Sequence, residues 1–248
     1  MTPFALCAIA VMAKAPQPGR SKTRLTPRLS PDQAAGLSAA FLRDITENII
    51  AASRAQPIDS FIAYAPAGSE ALFDGHLAFG TGLILADGTT PMASDVTGFG
   101  RCLLHAIDTL LREGYNSAVV LNSDSPTLPT EYLIRTAAWL ASPGDRAVLG
   151  PADDGGYYLL GLKQSHARMF ADITWSSENV AAQTRDRAAE IGLELVELPV
   201  WYDVDDAAAL DRLIEELSDD ENQPTAPATT RWLKAEGLLV TSSQRKCA

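Results

Sequence analysis

Residues 4–13 read FALCAIAVMA, and residues 14–25, which follow directly, read KAPQPGRSKTRL. The first segment is apolar throughout and does not alternate with polar residues, a pattern typical of a central strand in a parallel sheet covered on both faces. The second segment contains two prolines, a glycine and four basic residues, which indicates a loop. Ligands of open α/β sheets bind outside the carboxyl ends of the strands. The two segments therefore favour an α/β fold with a ligand site after its first strand.

Alternating helix and strand patterns follow. Residues 30–33, SPDQ, supply an N-cap serine, a proline at the first helical position and a glutamine at the third, and predict a helix over 31–54. Further strands are predicted over 58–65, 82–85, 118–121, 147–150 and 193–199, and residues 157–162 form another apolar run. Further helices are predicted over 99–113, 130–140, 165–171, 177–190 and 206–217. Strands separated by helices imply right-handed crossovers and a three-layer α/β fold with a mostly parallel central sheet.

The chain is expected to form one main domain. Its 248 residues lie near the size at which a single core stops growing, and residues 1–217 carry the alternating pattern. Residues 218–248 are expected to hold a loose acidic and proline-containing linker over 219–230 and a short helix over 231–239 that docks back. Residues 74–100 are rich in glycine and polar side chains, and we expect a long functional loop there with little regular structure.

Charge and composition limit the partners. The chain has 20 basic and 31 acidic residues, a net charge of −11, which argues against binding to nucleic acid or to an anionic membrane. Its three cysteines are widely spaced, as in reduced proteins. The apolar N-terminal run lacks the flanks of a signal peptide and is too short to cross a bilayer. We therefore expect a cytoplasmic protein whose partners are small molecules.

The basic loop after the first strand is the first candidate binding element. Residues 1–31 contain no acidic side chain, although the chain as a whole is acidic. A diphosphate or triphosphate needs several cations and free backbone amides, and the prolines and glycine would hold the loop close to phosphate oxygens. The candidates for nucleotide binding are Lys14, Pro18, Gly19, Lys22 and Arg24. A solvated basic loop is the alternative, and the segment lacks the GxxxxGK[ST] pattern of a Walker A loop.

Carboxylates that follow two further strands are the candidate metal ligands. Asp124 ends a short apolar strand, beside the nucleotide-binding candidate Ser123. Asp203 and Asp205 follow a later strand, and alternation in an extended segment would point both to one side, with Val204 opposite. A carboxylate that holds Mg²⁺ can bridge to phosphates, whereas a free one repels them. An Asx turn at Asp124 and a helix cap in the second group are the alternatives.

Residues 150–158, GPADDGGYY, form the last candidate element. Two acids followed by two glycines are typical of a hairpin turn. In the functional interpretation, Gly155 and Gly156 are further nucleotide-binding candidates, where a sugar or an acceptor can lie against the backbone while Asp153 or Asp154 binds hydroxyls. Both interpretations remain open at this point.

Four strings in this order, MAKAPQPGRSKTRL, LNSDSPTLP, GPADDGGYYLLGL and DVDD, resemble a bacterial family of GT-A-like nucleotide-diphospho-sugar transferases, often labelled arsenosugar-biosynthesis-type glycosyltransferases. The resemblance spans about residues 1–217. The chain is more distantly similar to phospholactate guanylyltransferases and molybdenum-cofactor nucleotidylyltransferases. It departs from the family where a Gly-Asp-Leu-Gly-type stretch would precede the central helix, because residues 95–101 read DVTGFGR, and Asn122 replaces the first acid of an Asp-x-Asp motif.

The resemblance implies a Rossmann-like GT-A fold, a nucleotide bound after the first strand and a divalent ion, Mg²⁺ or Mn²⁺, held by Asp124 with an aspartate of the DVDD string. The expected activity is transfer of a sugar from a nucleotide-diphospho-sugar to a small-molecule acceptor. Lys22 and Arg24 would stabilise phosphate charge, and Asp153 or Asp154 would act as base. Nucleotidyl transfer from a nucleoside triphosphate, which releases pyrophosphate, is the alternative, and a nucleotide-binding module without turnover is the second.

Overall fold

The fold was analysed in a computed structural model that describes residues 6–26, 28–219 and 225–239. The strands are β1 (Cys7–Ala13), β2 (Ile58–Tyr64), β3 (Gly82–Leu85), β4 (Ser117–Leu121), β5 (Arg146–Pro151), β6 (Tyr157–Leu162) and β7 (Glu194–Glu197). The helices are α1 (Pro31–Ala52), α2 (Phe99–Arg112), α3 (Thr130–Ala141), α4 (Val180–Glu190), α5 (Ala207–Asp219) and α6 (Pro227–Ala235). Each predicted strand within these residues is present.

The strands form one sheet in the order β3-β2-β1-β4-β6-β5-β7. Strand β1 lies parallel to both of its neighbours, β2 and β4. Strand β6 alone among these strands runs antiparallel to its neighbours, because a short turn rather than a helix joins it to β5. The predicted mostly parallel sheet is therefore confirmed, and the glycine-containing turn at 152–156 is a hairpin.

Helices cover both faces of the sheet. Ile9 and Val11 of β1 belong to a core with Leu37 and Phe41 of α1. Ala8 and Ala10 of the same strand belong to a second core, on the other face, with residues of α2 and α4. Because both faces of β1 are buried, its sequence is apolar at successive positions. The predicted three-layer arrangement is thus confirmed.

Helix α1 begins where the sequence predicts it. The Ser30 hydroxyl accepts from the Gln33 amide at 3.2 Å, and the Gln33 side chain accepts from the Ser30 amide at 2.9 Å. This reciprocal pair is a capping box, and it satisfies amides that the first turn leaves without helical partners. It fixes where the basic loop, which connects β1 to α1, must end.

Two predicted helices differ from the structure. The segment predicted at 165–171 contains only a short 3-10 helix, Ala167–Phe170. The C-terminal helix begins at Pro227, not at residue 231, so part of the predicted linker is helical. Residues 220–224 of that linker, and predicted positions 4 and 5 of the first strand, lie outside the described residues. None of the described helices is long and apolar enough to span a bilayer.

Asp44 of α1 holds the N-terminus of α6. Its carboxylate accepts from the amides of Ala228 and Thr229 at 2.8 and 2.7 Å. Trp232 packs over Gly36, where a Cβ atom would lie 2.6 Å from the indole nitrogen. The helix starts early because Pro227 suits the first helical position and a carboxylate from another helix caps the amides that follow.

The Asp44→Ala variant should lower the free energy of unfolding by about 1–3 kcal/mol, because two buried amides lose their acceptor. Thermal denaturation measures the loss, and limited proteolysis should cut between α5 and α6 sooner. Glu47→Ala, an exposed change on the same helix, is the control and should cost little. Equal melting temperatures for the two variants would contradict the docking role of Asp44.

Candidate functional site

A cavity of about 370 Å³ opens at the carboxyl ends of β1, β2 and β4. Its walls come from the end of β1, the basic loop, the residues that follow β2, β3 and β4, and the segment before α5. Six of the predicted site residues line it: Lys14, Lys22, Arg24, Ser123, Asp124 and Asp205. The cationic loop and the carboxylates of two distant segments therefore meet around one space.

The basic loop is a set of tight turns. The Ser21 hydroxyl accepts from the Gln17 amide at 2.9 Å and donates to the Ala15 carbonyl at 3.1 Å. Gly19 has φ +71°, and Lys22 has φ +50°, a left-handed conformation that is uncommon for a residue with a side chain. At Lys22 the chain turns into a short 3-10 helix, Thr23–Leu25, which fixes the directions of the basic side chains.

The ammonium of Lys22 lies among the acidic residues. Its Nζ is 2.6 Å from Asp124 Oδ1 and 3.6 Å from Asp205 Oδ1, and it donates to the Val204 carbonyl at 2.7 Å. The side chain of Lys22 is 6% exposed, whereas that of Arg24, which contacts Asp205 at 3.2 Å, is 73% exposed. One cation is thus held inside the site, and a second lies at its rim.

Backbone hydrogen bonds hold the DVDD segment against the end of β4. The Val204 amide donates to the Asp124 carbonyl at 2.9 Å, and the Ser125 hydroxyl donates to the Tyr202 carbonyl at 2.8 Å. The Val204 side chain is fully buried. Asp203 and Asp205 flank it, but of the two only Asp205 lines the cavity. Asp206 caps α5 by accepting from the Ala209 amide, which confirms that one carboxylate of the group is a helix cap.

The carboxylates of the site repel one another. Burial, and then the charges of Asp205, Asp154 and Asp124, raise the pKa of Asp203 to about 6. Burial and the Asp124 carboxylate also raise the pKa of Asp205, and the charge of Lys22 opposes that rise. Burial and mutual repulsion therefore both disfavour the charged forms of Asp203 and Asp205, and a further cation close to these carboxylates would offset part of that cost.

Within the described residues, no group of three acidic, histidine or cysteine side chains is arranged to hold a metal ion. Asp124 and Asp205 line the cavity and face the same ammonium, whereas Asp203 is outside the lining. The geometry thus brings together two of the three candidate ligands. Mg²⁺ commonly takes one or two protein carboxylates and completes its shell with water and substrate phosphates, so two oxygen donors suit it.

Several predicted residues lie away from the cavity lining. Pro18 and Gly19 are exposed at the tip of the basic loop. Asp153 pairs with Arg212 at 2.8 Å, and Asp154 accepts from the amide of Gly156 at 2.7 Å. Their functional roles stay predictions.

Gly155, also outside the lining, has a structural reason to be glycine. It has φ +89°, and a Cβ atom would lie 2.1 Å from the carbonyl oxygen of Glu178. Its own carbonyl accepts from the Ala181 amide at 2.9 Å in the first turn of α4. The residue therefore joins the hairpin to α4, and its predicted nucleotide contact stays a prediction.

Several residues that line the cavity are not among the predicted site residues. Arg20 belongs to the same run of cations as Lys22, so its charge was a usable signal. Ser38, Phe99 and Cys102 lie on helices whose apolar patterns gave no functional signal. Their positions depend on how α1 and α2 cross the edge of the sheet, which one sequence does not specify.

A family model described as "Uncharacterized protein conserved in bacteria (DUF2064)" matches residues 48–177, just over half of the chain. The chain belongs to this family. The matched region of this DUF2064 member includes Asp124 and the hairpin turn but not the basic loop or the DVDD segment. A search of curated proteins found no match.

Solved structures share the fold. A "putative nucleotide-diphospho-sugar transferase" from Desulfovibrio desulfuricans G20 is 25% identical, with a TM-score of 0.74 over 94% of this chain and 96% of that one. A cytidylyltransferase from Leptospira borgpetersenii serovar Hardjo-bovis is 11% identical, with a TM-score of 0.53 over 96% and 98% of the respective chains. Glucosyl-3-phosphoglycerate synthase from Mycobacterium tuberculosis, in complex with Mn²⁺, UDP and glucosyl-3-phosphoglycerate, is 11% identical, with a TM-score of 0.50 over 96% and 82%.

These matches confirm the predicted fold, a mixed α/β nucleotide-diphospho-sugar transferase fold with a mostly parallel sheet. The same fold occurs in the cytidylyltransferase, so the fold does not separate sugar transfer from nucleotidyl transfer. The narrower arsenosugar-biosynthesis subtype stays a prediction.

The Lys22→Met variant should lower the free energy of unfolding by about 1–3 kcal/mol, because Asp124 and Asp205 lose their cation. This loss lies between those typical of exposed and of buried ion pairs. MgCl₂ should then raise the melting temperature of this variant more than that of the wild type, since the ion no longer competes with the ammonium. Differential scanning fluorimetry at constant ionic strength measures both effects.

Lys163→Met is the matched control, because within the described residues Lys163 donates only to backbone carbonyls, those of Ser142 and Gly144. This control should respond to MgCl₂ as the wild type does. A magnesium response of Lys22→Met equal to that of the wild type would show that the two carboxylates are not a cation site.

Proposed function

We propose that the protein is a divalent-metal-dependent transferase that uses an activated nucleotide, and that the group it transfers is a sugar. The observation that carries this proposal is the cavity at the carboxyl edge, where four basic side chains of one loop face the carboxylates of Asp124 and Asp205. Cations with exposed loop amides suit a diphosphate, and paired carboxylates suit the divalent ion that accompanies it.

The basic loop supplies the phosphate-binding side chains. Lys14, Arg20 and Arg24 line the cavity and are exposed, so they can reach phosphate oxygens directly. Lys22 is already bonded to Asp124 and Val204, so it contacts phosphate by exchanging one of these partners. Stabilising the charge that builds on the leaving phosphate is the largest contribution such a site can make.

Asp124 and Asp205 would hold the metal. Their hard oxygen donors match Mg²⁺ or Mn²⁺, and both carboxylates face the cavity in which the phosphates would lie. A bound divalent ion would supply Lewis-acid stabilisation of phosphate charge. Mn²⁺ and UDP are present in the complex of the synthase that shares the fold.

The transfer needs no protein nucleophile in this proposal. The acceptor attacks directly, and the protein supplies position and electrostatic stabilisation. Of the two predicted bases, Asp154 suits the role better, because Arg212 engages the carboxylate of Asp153, whereas Asp154 has no ion pair within the described residues and accepts only from the Gly156 amide. The similarity to the D. desulfuricans protein, which extends over nearly the whole of both chains, favours a nucleotide-diphospho-sugar as donor.

Nucleotidyl transfer is the second candidate. The number of cations around the cavity favours it, because a triphosphate carries more charge than a nucleotide-diphospho-sugar and its reaction releases pyrophosphate. A cytidylyltransferase shares the fold. The two candidates differ in which ligand fills the cavity.

A thermal-shift panel of nucleoside triphosphates, nucleoside diphosphates and nucleotide-diphospho-sugars, each with and without MgCl₂ or MnCl₂, tests the proposal. A matching nucleotide-diphospho-sugar at about 100 times its Kd should raise the melting temperature by roughly 5–10 °C when metal is present. A response to triphosphates alone would favour nucleotidyl transfer. No response to any nucleotide would refute both candidates.

The Asp124→Asn variant should still bind the nucleotide, but its affinity should no longer increase when metal is added, because one of two oxygen donors becomes a neutral amide. Isothermal titration with and without MgCl₂ measures this difference. Asp211→Asn, whose parent carboxylate pairs with Arg28 outside the cavity lining, is the matched control and should keep the metal dependence. Retained metal dependence in Asp124→Asn would remove Asp124 from the metal site.

A further inference from the structure

The two outer strands of the sheet differ in the protection of their free edges. Strand β7, at one end, begins with Glu194 and ends with Glu197, which are exposed and pair with arginines at 3.1 and 2.8 Å. Strand β3, at the other end, lies in the segment 77–86, LAFGTGLILA, which contains no charged residue. Charges on an edge strand keep other strands away from its free backbone groups. The edge of β3 lacks this protection.

Unpaired backbone groups point outward from β3. The Ala86 amide, which follows the strand, donates to the Tyr64 carbonyl of β2 at 2.9 Å. Successive residues of a strand direct their N–H and C=O groups to opposite sides, so those of Leu83 and Leu85 point away from β2. Within the described residues, β3 pairs with β2 alone. The outer edge therefore offers two donors and two acceptors to a further strand.

Exposed apolar side chains accompany this edge. Phe79, shortly before β3, is 99% exposed, and Leu83 within the strand is 37% exposed. Single exposed apolar residues are common on protein surfaces. Here they occur together with unpaired backbone groups on an uncharged strand. This combination favours an added strand of protein as the occupant, because backbone hydrogen bonds supply affinity and apolar side chains supply contact area.

Charge favours a second copy of the chain as the source of that strand. Each copy has a net charge of −11, so two copies repel wherever their acidic surfaces meet. Pairing through the segment 77–86 instead brings together the edges that contain no charge. A partner with a charged strand would leave its charges beside apolar side chains without a counter-ion, at a cost in free energy.

Strand β3 is also complementary to itself. In an antiparallel pair with the twofold axis beside Ile84, Leu83 of each copy lies opposite Leu85 of the other. Because the backbone groups of both residues point outward, each pair exchanges two hydrogen bonds, and all the outward groups are satisfied. The two leucines also share a face of the sheet, so their side chains contact across the axis. Asp87, the first acid after the segment, falls opposite Thr81 and not opposite another acid.

We propose that the free edge of β3 pairs antiparallel with β3 of a second copy, so that two seven-stranded sheets form one continuous sheet in a twofold-symmetric dimer. The paired strand has four residues, so the interface is small and the expected affinity is micromolar. The carboxyl ends of β3 in the two copies point in opposite directions, and the two nucleotide cavities therefore open at opposite edges of the joint sheet. The proposal does not depend on the proposed function.

Sedimentation velocity of the full chain over a range of micromolar concentrations tests the proposal. The wild type should show a monomer–dimer equilibrium. Leu83→Lys should weaken the dimer at least about tenfold, because each copy then places an unpaired ammonium in the interface. Ile191→Lys is the matched control, since Ile191 is 39% exposed at the end of α4, which packs beside β7. It makes the same change in charge and should dimerise as the wild type does.

Leu83→Pro separates strand pairing from apolar contact. Proline removes the N–H group of residue 83, which points outward, and leaves the hydrogen bonds to β2 in place. The variant should therefore keep the circular dichroism spectrum of the wild type and lose the dimer. A Leu83→Pro variant that dimerises as the wild type does would contradict pairing through the backbone of β3.

Hydrogen exchange locates the interface. Raising the concentration of the wild type should slow exchange at the amides of Leu83 and Leu85, because these amides become bonded only in the dimer. The same increase should have no effect on these amides in Leu83→Lys, or on the amides of β7 in either protein. Mass spectrometry of peptides that cover 79–86 and 194–197 measures both.

The remaining outcomes overturn the inference. A dimer that is unaffected by Leu83→Lys, or that forms without slower exchange at Leu83 and Leu85, uses another surface. A monomer in which these two amides exchange slowly at every concentration has its edge covered by another part of the same chain. A monomer in which they exchange rapidly leaves the edge free for a different protein. Each of these results refutes self-pairing and leaves the nucleotide site untouched.

Discussion

The ammonium of Lys22 connects three segments that are far apart in the chain. It is almost fully buried and contacts Asp124, which follows β4, and both Val204 and Asp205, which precede α5. A buried charge is tolerated only with close partners, so these contacts fix the basic loop relative to both acidic segments. The cavity exists because these contacts hold the loop and the two acidic segments at the same edge of the sheet.

The site's elements were predictable where one local pattern decided the structure. The unbroken apolar run of β1 indicated a strand buried on both faces, and the change to prolines and cations after it indicated where a ligand loop begins. In each case the deciding physics involves neighbouring residues, so a single sequence contains it.

Other features depend on distant partners and were not predictable. The start of α6 depends on Asp44, a residue of α1, which caps the helix in place of a local N-cap side chain. The need for glycine at position 155 comes from the backbone of Glu178, not from a ligand. The cavity of about 170 Å³ between α2, β4 and β6 depends on how α2 crosses the sheet. No pattern in the sequence indicates that the Tyr157 hydroxyl lacks a hydrogen-bond partner within the described residues.

The two cavities divide the electrostatics of the site. Four cations of the basic loop line the cavity of about 370 Å³. The adjoining cavity of about 170 Å³ has no cation in its lining, and Asp124 lines both. In a sugar transfer, charge develops on the phosphate that leaves, whereas the ring stays uncharged at its hydroxyls. In the proposed sugar transfer, cations on one side of Asp124 and neutral polar atoms on the other would stabilise the leaving phosphate without attracting a second anion.

Lysine suits position 22 better than arginine because one compact charge must serve several acceptors. Its ammonium is compact, carries three donors and fits between Asp124 and Asp205 while also donating to the Val204 carbonyl. The planar guanidinium is bulkier and spreads its five donors over a fixed fork, which matches one carboxylate through two parallel bonds better than three acceptors around a single point. A point charge that is shared among three acceptors can also release one of them to a phosphate oxygen while the others keep the loop in place.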